Sequence, residues 1–261
     1  MQLLKTLTTS LLRPFPLRPP SRLYSIAPHP SPPPLHPLLQ QRIGEVTVEL
    51  DDGVDGVEGL RVGGRGVIFP EGWNEDEVDY EGLEDRLKKT STSILDWLDY
   101  SSYDLSIILT SLPLQTSHNN EAFSKNTPTD VLSFPTLLSS SSVVPGRVDD
   151  LILEYPFESK EEMNYDICNS MMHLGDIIIC PRYAEYVMAC DIHGKNLKQY
   201  EEWSDKGASG VIKDVKDLHR RCDILLLHGI LHLIGYDHVN GEKEKDIMEE
   251  LERRGIEGIG L

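Results

Sequence analysis

The run His228-Gly229-Ile230-Leu231-His232-Leu233-Ile234-Gly235-Tyr236-Asp237-His238 constrains the fold more than any other stretch of the chain. Its histidines are spaced H-x3-H-x5-H. In a helix, His228 and His232 stand four residues apart, so both rings leave the same face. Gly235 is placed to end that helix and turn the chain back. His238 then approaches the same point from another direction. Three neutral imidazoles at one point suit a single Zn²⁺, with a fourth position open to water. The segment reads as an open, catalytic metal site rather than a closed structural one. A lone histidine on an apolar face is usually a core residue, but three histidines with a glycine at the helix break are a ligand pattern. His219 lies nine residues before His228, a rotation of about 900° at 100° per residue, and is excluded because it points the other way. His118, His173 and His193 have no spacing partner and read as ordinary polar surface.

Composition narrows the function classes. The chain of 261 residues carries 25 basic and 43 acidic side chains, a net charge of −18. That argues against a protein that coats nucleic acid, which needs clustered Lys and Arg. It leaves room for an enzyme that touches a short strand at one place. No apolar run approaches a membrane-spanning length, so no membrane partner is expected. Cys168, Cys180, Cys190 and Cys222 form no C-x-x-C pair and read as reduced thiols. Residues 1–44 hold no Asp or Glu but include Lys5, Arg13, Arg18, Arg22 and Arg42. That is the composition of an organelle-targeting presequence with a Pro-rich lead-in, mitochondrial ahead of plastid. Arg22-Leu23-Tyr24-Ser25 resembles a mitochondrial processing site, with cleavage after Tyr24. Residues 45–261 are then the folded part.

Hydrophobic periodicity predicts an α+β domain. Strands are expected at Val46–Leu50, Asp104–Thr110, Thr129–Phe134 (closed by Pro135) and Leu174–Cys180, the last nearly all apolar and so central. Asn74 with Glu77 resembles a helix-capping pair, ahead of Leu83, Leu87, Ile94, Leu95 and Leu98 at helical spacing. Further helices are expected over Arg182–Cys190, from about Asp214 into the histidine motif, and over Gly241–Arg254 with Ile247, Met248 and Leu251 inward. Polar, acidic insertions are expected near residues 136–173 and 191–210.

Two zinc layouts fit the histidines. Positions 228, 232, 235 and 238 match the H-E-x-x-H-x-x-G-x-x-H spacing of metzincin proteases, whose glutamate is the general base. Here that position is Gly229, which cannot take a proton, so a zinc protease is disfavoured. The whole string instead resembles the signature of the YbeY family of rRNA maturation endoribonucleases. Pro128-Thr129-Asp130-Val131-Leu132-Ser133-Phe134-Pro135 resembles that family's P-T-D-V-L-S-F-P strand, and Leu174-Gly175-Asp176-Ile177 its L-G-D-I strand. The likeness runs from about Asp104 to Arg254, with the insertions unmatched.

The resemblance implies a small mixed sheet of about four strands with helices packed on it and the zinc in a cleft beside it. It makes His228, His232 and His238 the zinc ligands. It implies a single-strand-specific endoribonuclease of small-subunit rRNA maturation and ribosome quality control, with small-subunit rRNA and small ribosomal subunit proteins as partners. An organelle presequence agrees, because organelles keep bacterial-type ribosomes. One departure stands out: the family's Y-R-x-K falls here on Ala122, Phe123 and, for the lysine, Lys125. Phe123 cannot grip phosphate as an arginine fork would. Lys125 is left as the expected phosphate contact, with Arg147 or Arg182 as substitutes from shifted loops. Asp237, beside His238, is placed to hydrogen-bond a ligand ring or a water on the metal, or to cap the helix end. Asp130 and Asp176 read as structural, and Ser133 and Thr129 as cleft or ladder residues. A catalytically weak, zinc-stabilised ribosome-assembly factor is the non-enzymatic alternative.

Overall fold

Alternating apolar residues build the first two strands, and unbroken apolar runs build the centre. A computed structural model describes residues 42–63, 67–74, 78–136, 144–148, 172–193, 212–238 and 241–261. The presequence expected at residues 1–44 lies almost wholly outside them, as do most of the two insertions and Cys168. Strands β1 (Val46–Leu50), β2 (Asp104–Leu109), β3 (Val131–Pro135) and β4 (His173–Ile179) form one sheet in the order β1-β2-β4-β3. The β1–β2 and β2–β4 pairs are parallel and the β3–β4 pair antiparallel. The sheet is mixed, with the apolar β4 inside and β3 at an edge. The expected α+β class and four-stranded sheet are what the structure has.

Side-chain alternation gives the sheet two unlike faces. Leu105, Ile107, Leu109, Ile177 and Ile179 are almost wholly buried on one face. Two helices cover it: α2 (Leu83–Trp97) lies over β1, and α5 (Leu218–Leu233) over β3 and β4. Helix α6 (Glu242–Ile259) packs on both helices from outside. On the other face Leu132, Phe134, Ile178 and the half-buried Ile108 pack against Ala122 of α3 (Leu112–Phe123). Helix α4 (Pro181–His193) packs on α5 and shares a small cluster of Cys180, Tyr183, Tyr186 and Cys190 with Leu112 of α3. Burial pushes the Cys180 thiol up to about 12, so it stays protonated.

The differences from expectation have physical causes. Helix α3 was not foreseen because its inward positions are Leu112, Gln115, His118 and Asn119, three of them polar, so no apolar period marks it. The short α1 (Gly56–Leu60) carries two glycines in five residues, so no helical period marks it in the sequence. Helix α2 starts at Leu83, with Gly82 at its N-cap, rather than at the Asn74 pair, whose Glu77 lies outside the described residues. Val78 and Tyr80, both buried, hold that intervening stretch against the core instead. Pro135 is the last residue of β3 and pairs with Gly175, which an edge strand tolerates. His118 corrects its surface assignment: it is buried, with Nε2 2.6 Å from Asp51 Oδ2, which also accepts from Thr110 Oγ1 at 2.7 Å. That network ties α3 to the carboxyl ends of β1 and β2.

Gly175 sets how closely the histidine helix lies on the sheet. It follows an irregularity in the β2–β4 register and holds φ at 144°, a value disfavoured for residues with a Cβ. A Cβ there would stand 2.2 Å from the Phe134 carbonyl oxygen and 3.0 Å from Leu233 Cδ2 of α5. Gly175→Ala is therefore expected to lower unfolding stability by roughly 2–4 kcal/mol, read by urea denaturation.

Candidate metal centre

Helix α5 is built to end where the histidines need it to. Asp217 caps its start, accepting from the Arg220 amide at 2.7 Å. At the other end Gly235 takes φ 95°. Its N–H donates to the His232 carbonyl at 3.0 Å, and the Tyr236 N–H donates to the Leu231 carbonyl at 3.0 Å. This is the paired bonding of a Schellman ending, with glycine at the left-handed position. The turn carries His238 back beside His228 and His232.

The three rings meet almost symmetrically. Their centroids are 4.6, 5.1 and 5.0 Å apart, and one ligand nitrogen from each lies within 4.8 Å of the others. Nε2 of His228 and Nε2 of His232 stand 3.1 Å apart. Tetrahedral ligands at 2.0–2.1 Å from one ion are separated by about 3.3 Å, so this spacing fits a shared zinc-sized ion. His228 is buried, whereas His232 and His238 are only partly so. The group is thus closed on the side of α6 and open on the other.

Second contacts fix which nitrogen each ring presents. His228 Nδ1 lies 2.5 Å from Glu252 Oε1, a carboxylate buried on α6. His232 Nδ1 lies 2.9 Å from the Tyr236 carbonyl oxygen. Each Nδ1 carries the proton toward its acceptor, which assigns the tautomers and leaves both Nε2 lone pairs turned inward. Burial, and then the neighbouring His228 and His238, push His232 down to about 3 against the opposing pull of the Tyr236 carbonyl. Its ring is therefore neutral at neutral pH, as a metal ligand must be.

Glycines set the distances on both sides of α5. A Cβ at Gly229 would stand 3.1 Å from Ile177 Cγ2 and 3.1 Å from Ser133 Oγ, so position 229 presses on the sheet. A glutamate there, as in a metzincin, would need Ile177 or Ser133 to give way. A Cβ at Gly255 would stand 2.8 Å from Leu227 Cδ2, so α6 lies against α5 one turn from Glu252. Glu252 is the residue that sequence reasoning missed. Its signal was present: Met248, Leu251, Glu252 and Gly255 share the buried face of α6, and a carboxylate in such a stripe needs a partner.

The remaining expected residues are spread around this group. Asp237 is partly buried on the turn between Gly235 and His238, and Lys125 is exposed between α3 and β3. Asp130 accepts from the Val131 N–H at 3.0 Å, and Asp176 is buried 3.3 Å from His173 Nε2. Arg182 is buried, paired to Glu185 at 2.8 Å, and cannot reach a substrate. Arg147 is partly buried on a turn that Gly146 pins to the α5 end, its N–H donating to the Ile234 carbonyl at 2.8 Å. His219 faces the Asp79 carbonyl at 3.1 Å, and His193 stands edge-on to Trp73. Phe123 is exposed and stacked on Phe134.

Comparison with known proteins gives one consistent family. The family model described as Endoribonuclease YbeY matches residues 72–201 and 208–260. Endoribonuclease YbeY of Novosphingobium aromaticivorans is 26% identical over 186 residues, covering 71% of this chain and 86% of that protein. The Persephonella marina protein of the same name is 30% identical over 173 residues, covering 66% of this chain and 81% of its own length. That of Legionella pneumophila (strain Corby) is 29% identical over 157 residues, covering 60% of this chain and 68% of its own.

The Glu252 contact generates a measurable expectation. Glu252→Gln keeps the size and an acceptor oxygen but removes the charge that would strengthen His228 as a metal ligand. Zinc affinity, measured by competition with a chromogenic chelator, should fall about 10- to 100-fold. Far-ultraviolet circular dichroism should stay that of the parent.

Proposed function

The chain belongs to the endoribonuclease YbeY family, and from that premise we propose that it is a zinc-dependent endoribonuclease acting on single-stranded RNA. The convergence of His228, His232 and His238 with two tautomers fixed from behind is the observation that carries this reading. Small-subunit rRNA is the proposed substrate, in maturation and in ribosome quality control, with small-subunit ribosomal proteins as neighbours. Residues 1–44 are proposed as an organelle presequence, mitochondrial rather than plastid, because they combine basic and hydroxyl side chains with no acid. The insertions near 136–173 and 191–210 are proposed as surface additions to the domain over 45–261.

The donor set suits zinc: three imidazoles and no competing sulfur in the group, with one open side. When bound there, Zn²⁺ supplies Lewis acidity toward a phosphoryl oxygen and a water acidified to a pKa of about 7. The chain's own residues do the rest. Glu252 holds the Nδ1 proton of His228, and the Tyr236 carbonyl that of His232, so neither ring can swing away from the centre. Gly235 returns His238 to the open side. Asp237, next to His238, is proposed to accept a proton from the attacking oxygen, and Lys125 to neutralise a flanking phosphate. Position 229 is a glycine packed close to the sheet, so the base of a zinc protease is missing.

A second reading is a ribosome-assembly factor that cuts weakly, and Phe123 in place of the family arginine favours it. Cleavage decides between them. Purified full chain loaded with zinc should cut a single-stranded oligoribonucleotide. Chelation or His228→Ala should reduce the rate at least about 100-fold, and unfolded casein should stay intact. Equal cutting by His228→Ala would sink the metal-nuclease reading. Small-subunit binding without any cleavage would favour the assembly factor.

A further inference from the structure

Phe123 is the only aromatic among the large apolar side chains that stand exposed in the described residues, at 50% of its surface. Its ring lies almost parallel to that of Phe134, with centroids 6.3 Å apart and planes 18° apart. Phe134 is itself buried against Leu132, Ile178 and Ala122. The exposed ring therefore rests on an aromatic base anchored in the sheet. The chain turns away immediately after it, because Ser124 takes φ 57° and ends α3. A rigid ring held from beneath loses little side-chain entropy when something stacks on its outer face.

Its place relative to the histidines gives that face a use. Among the described residues β3 is an edge strand, and its far side meets no other strand of the sheet. Ser133 turns one way and faces Gly229 of the histidine helix, where an added Cβ would stand 3.1 Å from its Oγ, while the next residue, Phe134, turns the other way and supports Phe123. A chain crossing the β3 edge passes from one to the other. Lys125, two residues beyond Phe123, is exposed beside this route.

We propose that Phe123 is a base-stacking platform: the exposed ring, carried on Phe134 at the β3 edge, takes one unpaired base of the RNA strand that the histidine centre cuts. This rests on the endoribonuclease reading and adds a residue that selects the substrate. The net charge of −18 is why a base is the occupant. A chain so acidic draws little diffuse attraction to a phosphate backbone beyond a local contact such as Lys125, whereas stacking does not depend on the sign of the charge. A protein partner is the poorer fit, since stable protein interfaces cover about 800 Å² per side and one ring face matches one base.

The test uses the full chain and a labelled single-stranded oligoribonucleotide, with binding followed by fluorescence anisotropy in chelator so that the strand stays whole. Phe123→Ala should raise Kd roughly 5- to 100-fold and raise KM with kcat little changed. Phe123→Trp should bind like the parent, and its fluorescence should be quenched as the strand is added. Phe123→Leu, which keeps apolar packing on Phe134, should bind as poorly as the alanine variant. Binding by Phe123→Leu equal to the parent, or no quenching in Phe123→Trp when it binds, overturns the platform and leaves the nuclease reading standing. Parent protein that neither binds nor cuts the strand overturns the nuclease reading and the platform with it.

Discussion

The hydrogen bond between His228 and Glu252 is the contact on which the centre depends. It joins two helices that the chain brings together only at its C-terminal end. It is possible because α5 and α6 approach at Gly255, and α5 lies low on the sheet at Gly229. A buried carboxylate without a partner is costly, and so is a buried imidazole of undefined tautomer. Each removes the other's cost. The pair also sets the direction of the Nε2 lone pair, so a contact that stabilises the helix packing orients the His228 ring toward the histidine group as well.

The same economy runs through the rest of the fold. Gly235 closes α5 and delivers His238 by one backbone motif. Gly175 lets the strand bulge and admits Leu233 from the histidine helix. Ser133 and Phe134, consecutive in β3, serve opposite faces of the sheet because strand side chains alternate. One lies against the histidine helix and the other beneath the exposed ring of Phe123. For an acidic chain of an endoribonuclease family, this division has a physical logic under the proposed reading: the centre would engage the scissile phosphate, and stacking would add grip without a basic surface.

Much of this was legible in the sequence. The histidine spacing, with Gly235 at the break, described a helix and its return turn. Alternation marked β1 and β2, and the apolar run from Leu174 marked the interior strand. Short motifs around Asp130 and Asp176 identified the family. What was not legible involved polar groups in apolar surroundings. Glu252 looked like one more charge on a highly charged helix, because its partner is 24 residues away in sequence. His118 looked exposed because Asp51 is 67 residues away. Helix α3 went unseen because it buries an amide, an imidazole and a carboxamide where an apolar period was sought. Long-range pairing of polar side chains leaves no local pattern.

X-ray absorption at the zinc edge of the purified, zinc-loaded full chain tests the central claim most directly. The account predicts one zinc per chain, with three imidazole nitrogens at about 2.0–2.1 Å, an oxygen completing a tetrahedron, and no sulfur scatterer. A sulfur-ligated ion, or a first shell with fewer than three imidazoles, would contradict it.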